Sequence, residues 1–523
     1  MKKTFRLLSI FLCLVMLVTA FAGCKGNGKG NGGKDFVIPT DLMTEEEYRA
    51  EVKKLSEGTN LVDADTAAID KLGDRLRDMI VYSTNDIKDT AGNTYYVSNN
   101  GDDKNDGKTP ETAWATLTKV NITKFGKDDL VLFERGGFWR GSIQVQSDVT
   151  YSAYGTGPKP KIYSSIDGTV GEWTETETKD VYVYSEKLYQ KDICVIVFDE
   201  VNADSTYAKK KKDIYKVGSD LDFAFQGGYA TSGKKDNMLY LKCEQGNPKD
   251  VFDSIEISTT TDTVVIDAGV ENVTINNLEL AFGPYPILAN YTNNVKISYC
   301  VTGWHGGNTG PGDEGVRLNG GIAAYPDGDN IYIDHCYIYQ QYDSGVTPQV
   351  SWSTIQYGKE PSVFENFVTN DCLFEYCEYT FEYFSTQTDT DENCFKGLYF
   401  GYNFCRYGGY GFGDKPNASA YVKSWSHENN CYDSTIEYNI FDRPISLSIE
   451  IMATKQRKEG GKKEFIFDLL PKIQNNIYIH RKDRKFANVN NVEYTFNEQT
   501  YNTLKGLGFE TGARYLFAPE TKK

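Results

Sequence analysis

Four acidic side chains stand in a stretch crowded with tyrosine: Asp343 in QYDSG, Glu378 and Glu382 in EYCEYTFEYF, and Asp414 in GFGDKP. Two carboxylates held close together do not ionise independently. One pKa climbs, leaving a general acid at neutral pH beside an ionised nucleophile or base. Separations of about 5 Å and nearly 10 Å bracket the retaining and inverting geometries of glycoside hydrolysis. Tyr342, Tyr379, Tyr383 and Tyr410 offer faces for sugar rings, as do Trp304, Trp352 and Trp425 on longer loops.

A second set is basic. Arg406, Lys415, Lys423 and His427 follow one another closely and could supply the cation and base of a β-elimination on a uronate. Arg406 also stands at the same repeat offset as Glu375, which reads as an ion pair between neighbours. His305, in the glycine-flexed GWHGG, is a substrate-binding candidate, whereas His335 in IDHC suits a core hydrogen bond. The acidic GDDKNDG at 101–107 reads as an Asx-rich turn, with a structural Ca²⁺ as its alternative occupant. No dense aspartate cluster follows it, so neither a metal nor another cofactor is expected for the chemistry. Nucleotide fingerprints, a nucleophile elbow and HExxH are absent from the sequence.

Seven segments must position these residues: TINNLEL, KISYCVT, YIDHCYI, TNDCLFE, FGYNFCR, IEYNIFD and IQNNIYI. Stacked, they align Asn277, Cys300, Cys336, Cys372, Asn403, Asn439 and Asn476, with steps of 23, 36, 36, 31, 36 and 37 residues. Periods in this range mark stacked supersecondary units whose cores join end to end, and here each unit alternates as a strand does. The predicted architecture is an all-β parallel β-helix with an internal Asn and Cys ladder. Neighbouring coils lie about 4.8 Å apart, so repeat offsets convert to distances. From the ladder, Asp343 is at +7, Glu378 at +6, Glu382 at +10 and Asp414 at +11. Asp343 and Glu378 are thus expected on consecutive coils at nearly one height, and Glu382 and Asp414 as a second such pair.

YYVSNNGDDKNDGKTPETAWATL and YSAYGTGPKPKI resemble the opening coils of the bacterial right-handed parallel β-helix proteins of the pectate-lyase-like superfamily. IYQQYDSGVTPQ, FEYCEYTFEYF and RYGGYGFGDKP are similar to blocks in a subgroup of secreted carbohydrate-active enzymes. The resemblance covers residues 91–480. It implies a right-handed β-helix and a carbohydrate substrate, in a superfamily that holds glycoside hydrolases, polysaccharide lyases and non-catalytic members.

Around this body, residues 1–23 read as a secretory leader with Lys2, Lys3 and Arg6 before an apolar run. FAGC resembles a bacterial lipobox that would make Cys24 the lipid attachment point, followed by a Gly-rich tether to residue 35. Residues 36–90 are predicted helical, with capping-box spacing at Thr44–Glu47. Residues 191–258 break the strand rhythm as an inserted β-rich excursion, and 481–523 pack on the solenoid. Of eleven Cys, the nine beyond residue 24 show no CxxC spacing and are expected as buried thiols. The net charge of −17 argues against nucleic acid as a partner, and nothing implies a protein partner. The expectation is a lipid-anchored, extracytoplasmic enzyme that hydrolyses a neutral glycan, with its carboxylate pair drawn from Asp343, Glu378 and Glu382. Its rivals are a lyase built on Arg406–His427 and a surface solenoid that binds glycans without chemistry. Trp304, His305, Tyr342, Arg406, Tyr410, Asp414, Lys423, Trp425 and His427 are the expected sugar contacts.

Overall fold

Each repeat folds as one coil of three short strands in the computed structural model, which describes residues 36–228, 235–310, 316–325, 328–350, 363–385, 394–424, 429–452, 455–457, 463–465 and 467–519. One coil runs Asp329–Asp334, Tyr337–Gln341 and Ser344–Val350; the next runs Phe367–Asn370, Leu373–Glu375 and Tyr379–Ser385. Strands stack in parallel on their counterparts one coil away, making three long sheets of ten, eleven and ten strands. These are called here the first, second and third sheets, in the order each coil meets them. The protein is a right-handed parallel β-helix.

The corner between the first and second sheets explains the repeat. Asn277, Tyr299, His335, Asp371, Tyr402, Tyr438 and Asn475 occupy it on successive coils, all with φ between 50° and 56°. A left-handed residue turns the chain sharply, and the next side chain points inward. That inward position holds Leu278, Cys300, Cys336, Cys372, Asn403, Asn439 and Asn476, all fully buried. The registers Glu279↔Val301 and Val301↔Tyr337 place Leu278, and not Asn277, at the head of this ladder. The alignment of Asn277 was therefore one residue out, because asparagine suits both the corner and the ladder.

Within the ladder the amides join coil to coil. Asn403 Nδ2 donates to Asn439 Oδ1 (3.1 Å), and Asn439 Nδ2 to Asn476 Oδ1 (3.0 Å). The same oxygens accept the backbone N–H groups of Asn403 and Asn439. The interior is otherwise apolar and stacked, as in Phe381 on Phe400 at 4.9 Å and 4°. Each such buried ring contributes about 1.5–3 kcal/mol. All nine cysteines from Cys194 to Cys431 are buried free thiols.

Helix α1 (Glu45–Ser56) begins at the expected capping box, with Thr44 and Glu47 bonded reciprocally. Helix α2 (Thr66–Val81) follows, and Tyr48, Val52, Ile69, Leu76 and Ile80 pack against the outer face of the second sheet. Gly73 lets α2 approach closely, since a Cβ there would stand 2.8 Å from the Arg406 guanidinium. The excursion is an eight-stranded, mostly antiparallel sheet whose strands run from Ser165–Asp167 to Ile255–Ser258, so it opens well before residue 191. At the other end, Lys485–Val489 and Arg514–Ala518 extend the third and second sheets, so the chain after residue 480 adds strands to the solenoid itself. Among the described residues, no helix is long and apolar enough to cross a membrane.

Candidate active site

The third sheet carries the site. In Tyr379–Ser385, Phe381 and Tyr383 point into the core, so Glu382 and Phe384 face outward and line the cleft. Glu382 pairs in register with Lys423, and Lys423 with Glu450 on the next coil. Lys423 Nζ donates to Glu450 Oε2 (2.5 Å) and lies 4.8 Å from the centre of the Tyr379 ring.

Asp343 precedes Ser344–Val350 at the bend between the second and third sheets. Ser344 pairs with Tyr379, and the Tyr379 N–H donates to the Asp343 carbonyl (2.9 Å), which sets Asp343 beside Glu378 on the adjacent coil. The one-residue difference between their offsets is absorbed at that bend. Their side chains nevertheless end in different surroundings. Asp343 and Glu382 line one cleft of about 220 Å³, together with Tyr285, Asn319, Tyr325, Thr347, Gln349 and Phe384. Glu378 is buried behind the glycine turn at Gly413, and neither of its carboxylate oxygens accepts a hydrogen bond.

Electrostatics separates the acids. Burial pushes Asp343 up to about 6, while Lys415 and Lys423 pull it down and Asp414 raises it. Burial and then the Asp343 charge push Glu382 to about 8, against Lys423 and the Ser344 hydroxyl. Glu378 also rises to about 8, through burial and the charges of Asp343 and Asp414. Burial and the neighbouring charge thus push the two cleft acids apart, with Glu382 held further toward its protonated form than Asp343.

Several expected sugar contacts lie elsewhere. Trp304 is fully buried, donates Nε1–H to the Asn202 carbonyl (2.9 Å) and packs on Tyr207 and Phe412, bonding the excursion to the solenoid. His305 ends the strand Val301–His305 and is fully buried, its Nε2 3.3 Å from the Leu280 carbonyl, and desolvation lowers its pKa to about 3. The glycines after it had suggested a groove loop, whereas the turn starts only at Gly306. Arg406 lies on the second sheet beneath α2, bonded to Glu375 (2.5 Å) and Asp74 (2.7 Å). The Glu375 pair is thus as expected but covered by α2, and Arg406 belongs to helix docking. Tyr342 is buried under Arg317, whose guanidinium lies 4.3 Å from the ring centre. Asp414 and Tyr410 are exposed on the loop after Arg406, and Lys423 is buried on the third sheet. Trp352, Trp425, His427 and Cys24 lie outside the described residues.

Sequence reasoning missed the opposite wall, formed by Tyr285, Asn319 and Tyr325. Tyr285 and Tyr325 each sit in a Tyr-Pro pair beside a third-sheet strand, which was the available signal. The hairpin Asn308–Thr309 and Arg317–Leu318 carries Asn319 and is braced by the excursion. Asp192 accepts from the Thr309 N–H (2.7 Å) and from Lys210, and Arg317 donates to the Cys194 carbonyl (3.1 Å).

The acids of 101–107 bond to the chain that follows them. Asp103 accepts from the N–H groups of Ala115 and Thr116, and Asp106 from Lys108 N–H and the Thr112 hydroxyl. Glu45, His335 and Asp371 converge within 4.8 Å, but Arg49 is bonded to both acids and His335 Nδ1 lies 3.0 Å from Asp334. That grouping fastens α1 to the corner.

No protein-family model matches the chain. Over 110 residues, 19% of the chain, it is 31% identical to a lacto-N-biosidase of Bifidobacterium longum subsp. longum, and the match spans 7% of that protein's length. Among solved structures it is similar to XylC in complex with xylose, at 12% identity and a TM-score of 0.44, covering 82% of this chain and 85% of that one. It is also similar to the native GH136 lacto-N-biosidase from Eubacterium ramulus, at 13% identity and a TM-score of 0.38, covering 86% and 70%.

Proposed function

We propose that this chain is an extracytoplasmic glycoside hydrolase, tethered through Cys24, that cleaves a glycan in the cleft of the third sheet. One observation carries the reading: two carboxylates line a single cleft with their pKa values pushed apart, Asp343 to about 6 and Glu382 to about 8. Protonated Glu382 gives its proton to the leaving oxygen, and ionised Asp343 either takes a proton from the water that attacks the anomeric carbon or attacks that carbon itself, water then hydrolysing the glycosyl ester. The local likeness to a lacto-N-biosidase adds support. The lyase drawn around Arg406 is disfavoured because that guanidinium is bonded beneath α2, on a different sheet from Lys423.

The test is a digest of a broad glycan panel with the chain from residue 36 onward, following reducing ends and unsaturated-uronide absorbance together. New reducing ends without unsaturation are expected. Unsaturated product would make the protein a lyase, and binding without cleavage would leave a glycan-binding solenoid.

A further inference from the structure

The wall facing Asp343 and Glu382 is a chain of hydrogen bonds with a fixed polarity. Asn319 Nδ2 donates to Asn308 Oδ1 (2.8 Å), which turns Asn319 Oδ1 toward Tyr285. The Tyr285 hydroxyl donates to that oxygen at 2.6 Å. A phenol has one proton, so the contact between the Tyr285 and Tyr325 oxygens at 2.7 Å is made with the proton of Tyr325. Tyr325, half-buried at the cleft, has then committed its only proton inward and offers the cleft a lone pair. Asp262 stands behind the wall, its Oδ1 accepting from the Tyr285 N–H (3.2 Å).

We propose that Tyr325, oriented by Tyr285 and Asn319, is a specificity-determining acceptor that selects a neutral sugar donating a ring hydroxyl and rejects uronates. This inference rests on reading the cleft as the sugar site. A uronate carboxylate placed there would meet the Tyr325 lone pair together with the charges of Asp343 and Asp262. The cations that act on the cleft acids, Lys415 and Lys423, are not among the described residues lining the cleft, and Lys423 is bonded to Glu450. A neutral sugar's hydroxyl satisfies the same lone pair as a donor, and leaving a site acceptor unpaired is what makes such discrimination steep.

The experiment is calorimetric titration of the chain from residue 36 with methyl glycosides of glucose, galactose, xylose, N-acetylglucosamine, glucuronate and galacturonate. At least one neutral glycoside is expected to bind, with both uronates weaker by about 10-fold or more. Tyr325→Phe is expected to weaken that neutral glycoside about 5- to 10-fold, the worth of one hydrogen bond. Deoxyfluoro forms of the same glycoside, in which one hydroxyl becomes an acceptor only, test polarity without any mutation. One of them is expected to lose a similar factor on the unmodified chain and nothing further on Tyr325→Phe. Tyr285→Phe frees the Tyr325 proton and is expected to narrow the gap between hydroxyl and fluoro forms. Equal binding of uronates, unchanged binding by Tyr325→Phe, full binding by every fluoro form, or no binding by any of the six glycosides would overturn the proposal. Binding is read without turnover, so a wild-type chain that binds in this pattern but cleaves nothing removes the hydrolase reading and leaves the specificity intact.

Discussion

Asp343 and Glu382 divide the labour because of where each is held. Both lie within the fields of Lys415 and Lys423, but Glu382 is buried on the outward stripe of a strand, close enough to feel the Asp343 charge, while Asp343 is partly exposed. Glu382→Gln and Asp343→Asn keep shape and remove proton chemistry, so each is expected to lower kcat by about 10²- to 10⁴-fold with little change in fold. Glu378→Gln is the contrast. Its carboxyl is buried behind Gly413 and neutral at pH 7, so turnover there is expected to stay within a few-fold; a loss matching that of Asp343→Asn would transfer the role to Glu378. Steady-state rates with the glycan found in the digest decide between them. The acids themselves were legible in the sequence, since tyrosine-rich blocks around isolated carboxylates are distinctive. Which two share the cleft was not, because the bend between the second and third sheets absorbs one residue and the direction of each side chain depends on that slip.

At the scale of elements, the ladder carries both the fold and its legibility. Coils stay in register because Asn403, Asn439 and Asn476 bond to each other and to the neighbouring backbone, and Asn439 Nδ2 also donates to the Phe400 carbonyl (2.8 Å). Asn439→Ala would orphan the Asn403 N–H and that carbonyl. A loss of about 1–3 kcal/mol for each buried group is expected in urea unfolding, and an unchanged midpoint would show that the ladder is dispensable. The period was readable because the position after the left-handed corner faces a narrow interior that accepts few residue types. Its first member was not: Leu278 carries no signature, and Asn277, at the corner, imitates one. WHGG misled for a related reason, as the glycines begin the turn while Trp304 and His305 still belong to the strand.

At the scale of the whole molecule, the helices and the excursion decide which face remains for a substrate. Helices α1 and α2 cover the second sheet, and this assigns Arg406 to docking; sequence spacing held no trace of it, because Asp74 lies more than three hundred residues away. The excursion steadies the cleft through Asp192, which holds both the Thr309 N–H and the half-buried Lys210. Asp192→Asn would leave Lys210 uncompensated, at a cost of about 3–5 kcal/mol, and loosen the hairpin bearing Asn319. KM is expected to rise several-fold with the pH limbs unmoved; a shifted limb would mean that Asp192 acts on the chemistry itself. Those limbs test the central claim most directly. The dependence of kcat/KM on pH, measured for the wild-type chain and Glu382→Gln, should rise as Asp343 ionises through about 6 and fall as Glu382 loses its proton through about 8. In the residual activity of the variant the alkaline limb is expected to disappear while the acidic limb remains. An alkaline limb that persists without Glu382 would contradict its role as the acid.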